Sequence, residues 1–311
     1  MHTPSDQSIL QSRQSSSFSS TSSPSSLSTT SSLEKDIACC ISQESRLAWS
    51  PSSSWNYNKH SSDRHAHVSL SIKQLFIMNT RKHLWLLLVL PPIFFLLVIV
   101  ALSAYYGIAG VTNTEEVSSL ITGNIPLVLF IVQILILGLL AIILRKEHQK
   151  LFHFGWRDGQ RSLRREISSG TLLGVGLGIV YLVALAPLHE YLQSTFGDYV
   201  PPGEVLAGLS GSVVLFFLAN VLLAPFVEER LYRGRALPQL QEWFGDRKAI
   251  IISSFFFGLL HWMGGFWYMV MTGGVVGLLF GALAIKRGNI ILVFVAHLSL
   301  NVVEFVYVTL R

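Results

Sequence analysis

The sequence predicts an all-α fold: a polytopic membrane helix bundle of about seven transmembrane helices, preceded by a disordered N-terminal extension. Three observations carry this. Half of the 311 residues are hydrophobic and only 13% are charged, roughly half the charged share of a soluble domain. The apolar residues gather into long runs after residue 77. The Lys and Arg residues sort by loop rather than forming one patch. A soluble globular enzyme is thereby excluded. An ordinary nucleic-acid binder is excluded too, despite a net charge of +5; the bilayer is the expected partner, and no nucleic acid is.

Residues 1–77 hold 25 of the 37 serines and both cysteines. Such a stretch buries too little apolar surface to offset its ordering entropy, and disorder is expected. Its six Lys/Arg against five Asp/Glu suit an organelle transit peptide, and it lacks the apolar core of a secretory signal. Alternatively it is dispensable: Met78 followed by Asn-Thr-Arg-Lys-His and an apolar run reads as the untranslocated start of a membrane protein. The expected address is a prokaryotic plasma membrane if translation starts at Met78, and a plastid membrane if the extension is a transit peptide. Cys39 and Cys40 are adjacent, which gives no disulfide framework and no metal-ligand spacing. The membrane domain, 78–311, has no cysteine, so a thiol nucleophile or cysteine-ligated metal is excluded there.

A membrane helix needs about 20 mostly apolar residues. Runs of that kind are Leu84–Tyr106, Asn124–Leu144, Ser168–Leu188, Leu209–Val227, Phe266–Ile285 and Asn289–Thr309; a shorter one, Ala249–Trp262, completes seven. Loop charge sets the orientation. Sixteen of the seventeen Lys/Arg in 78–311 fall on one side, whereas loops 107–123, 189–208 and 263–265 contain none. The positive-inside rule then places the N-terminus in the cytoplasm and the C-terminus opposite. Within the spans, Gly170, Gly174 and Gly178, and likewise Gly273, Gly277 and Gly281, recur at the spacing that lets helix backbones approach closely.

Ionisable groups inside spans are costly and are functional candidates. Glu228, Glu229 and Arg233 end the fourth span, His261 ends the fifth, and His297 and Asn301 lie in the seventh, with Glu304 one turn on. Glu229 and Arg233 are four apart and can form an ion pair. Glu228 points about 100° away and is not committed to that arginine. His297 and Asn301 also share a face. A carboxylate base, an imidazole and two hydrogen-bond donors suffice for hydrolysis: the base activates water and the donors stabilise the oxyanion. Taken singly, the Glu-Glu-Arg set reads as a paired helix end, His261 as an interfacial histidine and His297 with Asn301 as an interhelical hydrogen-bonding pair. Three such features on three spans argue for one site. Glu304 reads as a packing or water-contacting residue.

The combination Glu228-Glu229-x-x-x-Arg233, Phe257-x-x-x-His261 and His297-x-x-x-Asn301 resembles the CPBP family of type II CAAX prenyl endopeptidases and bacteriocin-processing and Abi proteins. The resemblance covers a protease core over about 209–308. It implies an intramembrane endopeptidase, with a site in a cavity open to the cytoplasm and a membrane-associated protein or peptide substrate, prenylated CAAX proteins being the eukaryotic precedent. By position, Glu228 would activate water with His261 helping to hold it. Glu229 and Arg233 would brace the site, His297 and Asn301 would form the oxyanion pocket, and Phe257 would pack. No cofactor is expected in this reading. One point fits a cytoplasmic opening poorly: His261 lies about 20 Å along its helix from Lys248.

Three other readings compete. Glu228, His261 and His297 would make a zinc set for a metalloprotease, although His189-Glu190-Tyr-Leu-Gln193 lacks the second histidine of a His-Glu-x-x-His motif. Gly208-Leu-Ser210-Gly matches a short rhomboid-like serine protease pattern. The same fold could also serve as a non-catalytic scaffold or immunity factor.

Overall fold

A computed structural model describes residues 59–155, 162–200 and 212–310, with side chains described from Arg81 onward. The chain divides into residues 1–64 and 65–311, and the bundle belongs to the second unit. Residues 1–58, most of the predicted extension, lie outside the described residues, as does Ser210. Among the described residues every regular element is helical.

The first helix, α1, spans Lys59–Ile108, so its opening turns fall within the stretch read as extension. No Gly or Pro interrupts 59–90, which leaves nothing to stop the helix there. Next come α2, Thr114–Gly123, capped by the Asn113 side chain accepting from the Glu115 N–H, and α3, Ile125–Lys146, with Pro126 in its first turn. Then follow α4, Leu163–Phe196; α5, residues 213–236; α6, Leu237–Leu260; α7, Phe266–Arg287; and α8, Ile291–Leu310.

Five of these, α1 from Arg81, α3, α4, α7 and α8, are long and apolar enough to cross a membrane. The fourth and fifth apolar runs fall in α5 and α6, which are less regular. Helix α5 runs directly into α6, and the chain turns only at Gly245, with φ 73° and ψ 170°, a conformation open to glycine. This corrects one feature of the sequence reading. Arg230, Arg233 and Arg235, counted there as loop charges, are helical and buried. Each has acceptors: Arg230 donates to the carbonyls of Lys150 and Leu151, and Arg235 makes a fork to Glu147 at 2.6 and 2.7 Å.

Among the described residues four π-helical turns interrupt the helices, at Tyr181–Leu185, Phe217–Leu223, Glu229–Ala236 and Thr272–Gly277. The first three stand just before Pro187, Pro225 and Pro238. A proline cannot donate to the residue four back and its ring crowds that carbonyl, so the preceding turn widens. The fourth holds Gly273, Gly274 and Gly277. Carbonyls in three of these turns accept from side chains: Asn220 from Asn301, Tyr232 from Ser253 and Gly277 from Arg233.

The glycine ladders pack as expected. A Cβ on Gly174 would collide with the Ala296 carbonyl oxygen, and one on Gly170 would stand 2.7 Å from that of Leu292; α4 and α8 thus meet backbone to backbone. Gly273 and Gly277 bring α7 equally close to Ser254 of α6. These contacts fix where α8 holds His297.

Candidate active site

Glu228 ends the helical piece Ala224–Glu228 and is buried. Its two oxygens are unlike. Oε1 accepts from Gln133 Nε2 of α3 at 2.9 Å, while Oε2 is buried without a protein partner. His261, at the C-terminal end of α6, places Nε2 3.9 Å from that oxygen. Its other ring nitrogen, Nδ1, lies 2.8 Å from the Phe257 carbonyl. A carbonyl only accepts, so Nδ1 carries the hydrogen and Nε2 of the neutral ring presents a lone pair. Two acceptors facing one space can hold a water by both its hydrogens.

Glu229 is fully buried, and its Oε1 accepts from both Arg233 Nη1 at 3.1 Å and His297 Nδ1 at 2.9 Å. The ion pair expected from spacing therefore forms, with a histidine added to it. The Arg233 guanidinium lies 4.0 Å from the Phe257 ring centroid, a cation–π contact made stronger by the absence of water. His297 Nδ1–H is thus spent on Glu229, and Nε2 is the free ring nitrogen. With Glu228, Glu229 and Arg233 ionised, the cluster carries one net negative charge.

Asn301 is buried on the same face of α8, and its Nδ2 donates to the Asn220 carbonyl at 2.7 Å. One of its two N–H bonds is committed; the other is available. Phe257 does more than pack. Its ring lies 4.9 Å from that of His261 and 6.0 Å from that of His297, and it also carries Arg233 on its face. All six residues expected to form the site are brought together.

They meet at a cavity of about 290 Å³, whose walls include Gln133, Glu228, His261, His297 and Asn301. The cavity continues past Phe216 and Tyr181 to Thr122, Val200 and Gly264, at the helix ends joined by the loops without Lys or Arg. Toward the basic end, buried Arg230, Tyr232 and Arg235 close it. The lining thus extends toward the base-free helix ends, away from the end at which the resemblance implies an opening. The depth of His261 is explained: it stands at the α6 end nearest the mouth.

At the rim, Asp198 caps α7. Its carboxylate accepts from the N–H groups of Phe266 at 2.8 Å, Trp267 at 3.2 Å and Tyr199 at 2.7 Å. Partial burial raises its pKa, but these N–H groups and that of Val200 lower it more and hold the carboxyl below its usual range. The Tyr199 hydroxyl donates to the Trp262 carbonyl, and Trp267 Nε1 to that of Gly197. The two rim loops are thereby laced together.

Gln133, Asn220 and Asp198 were not singled out in the sequence. The first two had a signal: each is a lone amide within an apolar run, where an unpaired amide is costly. Asp198 had none, because its partners are distant backbone groups. Among the described residues no group of three His, Cys, Asp or Glu side chains is placed to hold a metal ion.

Residues 210–303 match the family model Rce1-like, described as type II CAAX prenyl endopeptidase Rce1-like. The match takes in all three motifs and agrees with the resemblance read from the residues. No curated protein and no solved structure matches the chain.

Proposed function

We propose that this Rce1-like stretch works as an intramembrane endopeptidase that hydrolyses a peptide bond of a membrane-associated protein or peptide. The observation that supports it most is the division of Glu228. One oxygen is fixed by Gln133, and the other is bare, buried and beside His261 Nε2. Glu229 Oε2 is also buried without a partner, but of the two carboxylates only Glu228 lines the cavity, where its free oxygen can meet a water. As a base facing a water it has a use.

In this reading, Glu228 Oε2 takes one proton of the water as its oxygen attacks the scissile carbonyl carbon. Charge then develops on the carbonyl oxygen, where His297 Nε2–H and the second Asn301 N–H stabilise it. As the C–N bond breaks, the proton on Glu228 passes to the leaving amine. Glu229 orients His297 through Nδ1, and Arg233 balances Glu229. No metal takes part in these steps. Prenylated CAAX-type proteins are one substrate class for such a site.

The experiment is cleavage of candidate membrane peptides by purified protein in detergent, wild type against Glu228→Gln and His297→Ala. Loss of about 100-fold or more in kcat for each is expected. Equal turnover in all three would remove catalysis and leave a scaffold on the same fold. Lasting inactivation by a chelator, reversed by zinc, would replace the glutamate mechanism with a metal-dependent one.

A further inference from the structure

The proposed reaction leaves one carboxylate of the cavity unused. Glu304 lies on α8 and lines the same cavity as Glu228, His261 and His297, between their end and the mouth. It also faces a smaller adjoining cavity that Glu190 helps to line. Its Oε2 accepts from Asn220 Nδ2 at 3.1 Å. Among the described residues it has no ion pair with a Lys or Arg. Glu229 in the same bundle has Arg233, so the chain supplies a counter-charge where a carboxylate is structural. At Glu304 it does not.

The mouth has the same polarity. Among the described residues, 107–123, 189–200 and 263–265 carry Glu115, Glu116, Glu190 and Asp198 and no Lys or Arg. Acidic groups around and within a low-dielectric cleft draw cations into it.

We propose that Glu304 is a specificity-determining residue that seats a cationic side chain of the substrate, Lys or Arg, during cleavage. The proposal rests on the endopeptidase reading of the site. Register follows from the helix. Glu304 is seven residues beyond His297, about 10 Å along the axis, and an extended peptide covers that distance in about three residues. The basic residue therefore stands about three positions from the scissile bond. The Glu304 carboxylate and the Asn220 side chain receive it, and the oxyanion pocket takes the carbonyl.

The test uses peptides with a single Lys, norleucine or Glu moved through the four positions on either side of the scissile bond. Cleavage is compared in the full-length wild type, Glu304→Gln and Glu304→Lys. The wild type is expected to prefer Lys over norleucine by about tenfold in kcat/KM at one position, the effect of a charge-assisted hydrogen bond. Glu304→Gln is expected to bring that ratio close to one, and Glu304→Lys to favour Glu at the same position. A Lys preference that survives Glu304→Gln, or none at any position, overturns the proposal. Binding of fluorescently labelled copies of the peptides is measured in parallel. If no peptide is cleaved yet Lys peptides bind more tightly in a Glu304-dependent manner, hydrolysis fails and the subsite stands. Without that binding preference, both fail.

Discussion

Gln133 Nε2 donates to Glu228 Oε1 at 2.9 Å, tying α3 to α5 at the carboxylate whose other oxygen faces the cavity. The amide fixes both the rotation of the carboxylate and the identity of the basic oxygen. Gln133→Leu keeps the shape of the wall and removes the donor. Its expected effect is a fall in kcat of about 10- to 100-fold, the size of a lost hydrogen bond to a charged group. KM should stay nearly unchanged. Steady-state kinetics check this, and a raised KM at constant kcat would assign Gln133 to substrate binding instead.

Arg233 is the counter-charge of Glu229 and is stacked on Phe257. Arg233→Met leaves a buried carboxylate with only His297 for support. Breaking such a pair from one side costs about 3–5 kcal/mol, read as a lower unfolding midpoint in detergent. The double variant Arg233→Met with Glu229→Gln should regain part of that loss, because the stranded charge is gone. Arg233→Lys should not restore wild-type stability, since an ammonium lacks the flat face that covers Phe257.

The ladder on α4 offers a test with its own control. A Cβ on Gly174 would meet the Ala296 carbonyl oxygen, whereas one on Gly176 would have nothing within 4 Å. Gly174→Ala must push α8 away, carrying His297 with it. Gly176→Ala should be neutral or stabilising, by up to about 1 kcal/mol from helix propensity. Thermal unfolding and turnover together separate the two. Equal behaviour would mean that α4 and α8 do not touch at this register.

These contacts mark what was legible in the sequence. Glycine spacing is a local signal that marks α4 as a helix a neighbour can approach closely, but it does not say that the neighbour is α8. The pairing of Glu229 with Arg233 was likewise local, four residues on one helix. The pairing of Glu228 with Gln133 joins residues of two different helices, so spacing could not reveal it. Positive charges gather at one end of the bundle, but they carry no information on which end a cavity opens toward. That depends on how tightly the helices close, and here Arg230 and Arg235 close the basic end by finding acceptors inside it. Pro187, Pro225 and Pro238 were visible throughout. The widened turns before Pro187 and Pro225 put Tyr181, Leu185, Ala219 and Asn220 in the cavity wall, and the Asn220 carbonyl takes the Asn301 side chain.

Asp198 predicts a pH dependence at the rim. Its carboxylate accepts from the Phe266 and Trp267 N–H groups at the start of α7 and from that of Tyr199, and is held below the usual carboxylate range. A group whose pKa is lowered on folding contributes stability above its unfolded pKa, near 3.9 for Asp, and loses it as pH falls through the folded value. Asp198→Asn removes the charge that complements the helix N-terminus, at a cost of about 1 kcal/mol at neutral pH. The gap in unfolding midpoint between wild type and Asp198→Asn should thus be open at pH 7 and close as the solution is taken below about pH 4. Val200 and Gly264, which these bonds hold together, line the cavity mouth. The variant should therefore also raise KM at neutral pH while kcat changes little. A constant gap at all pH values would show that Asp198 acts through its shape and not through its charge.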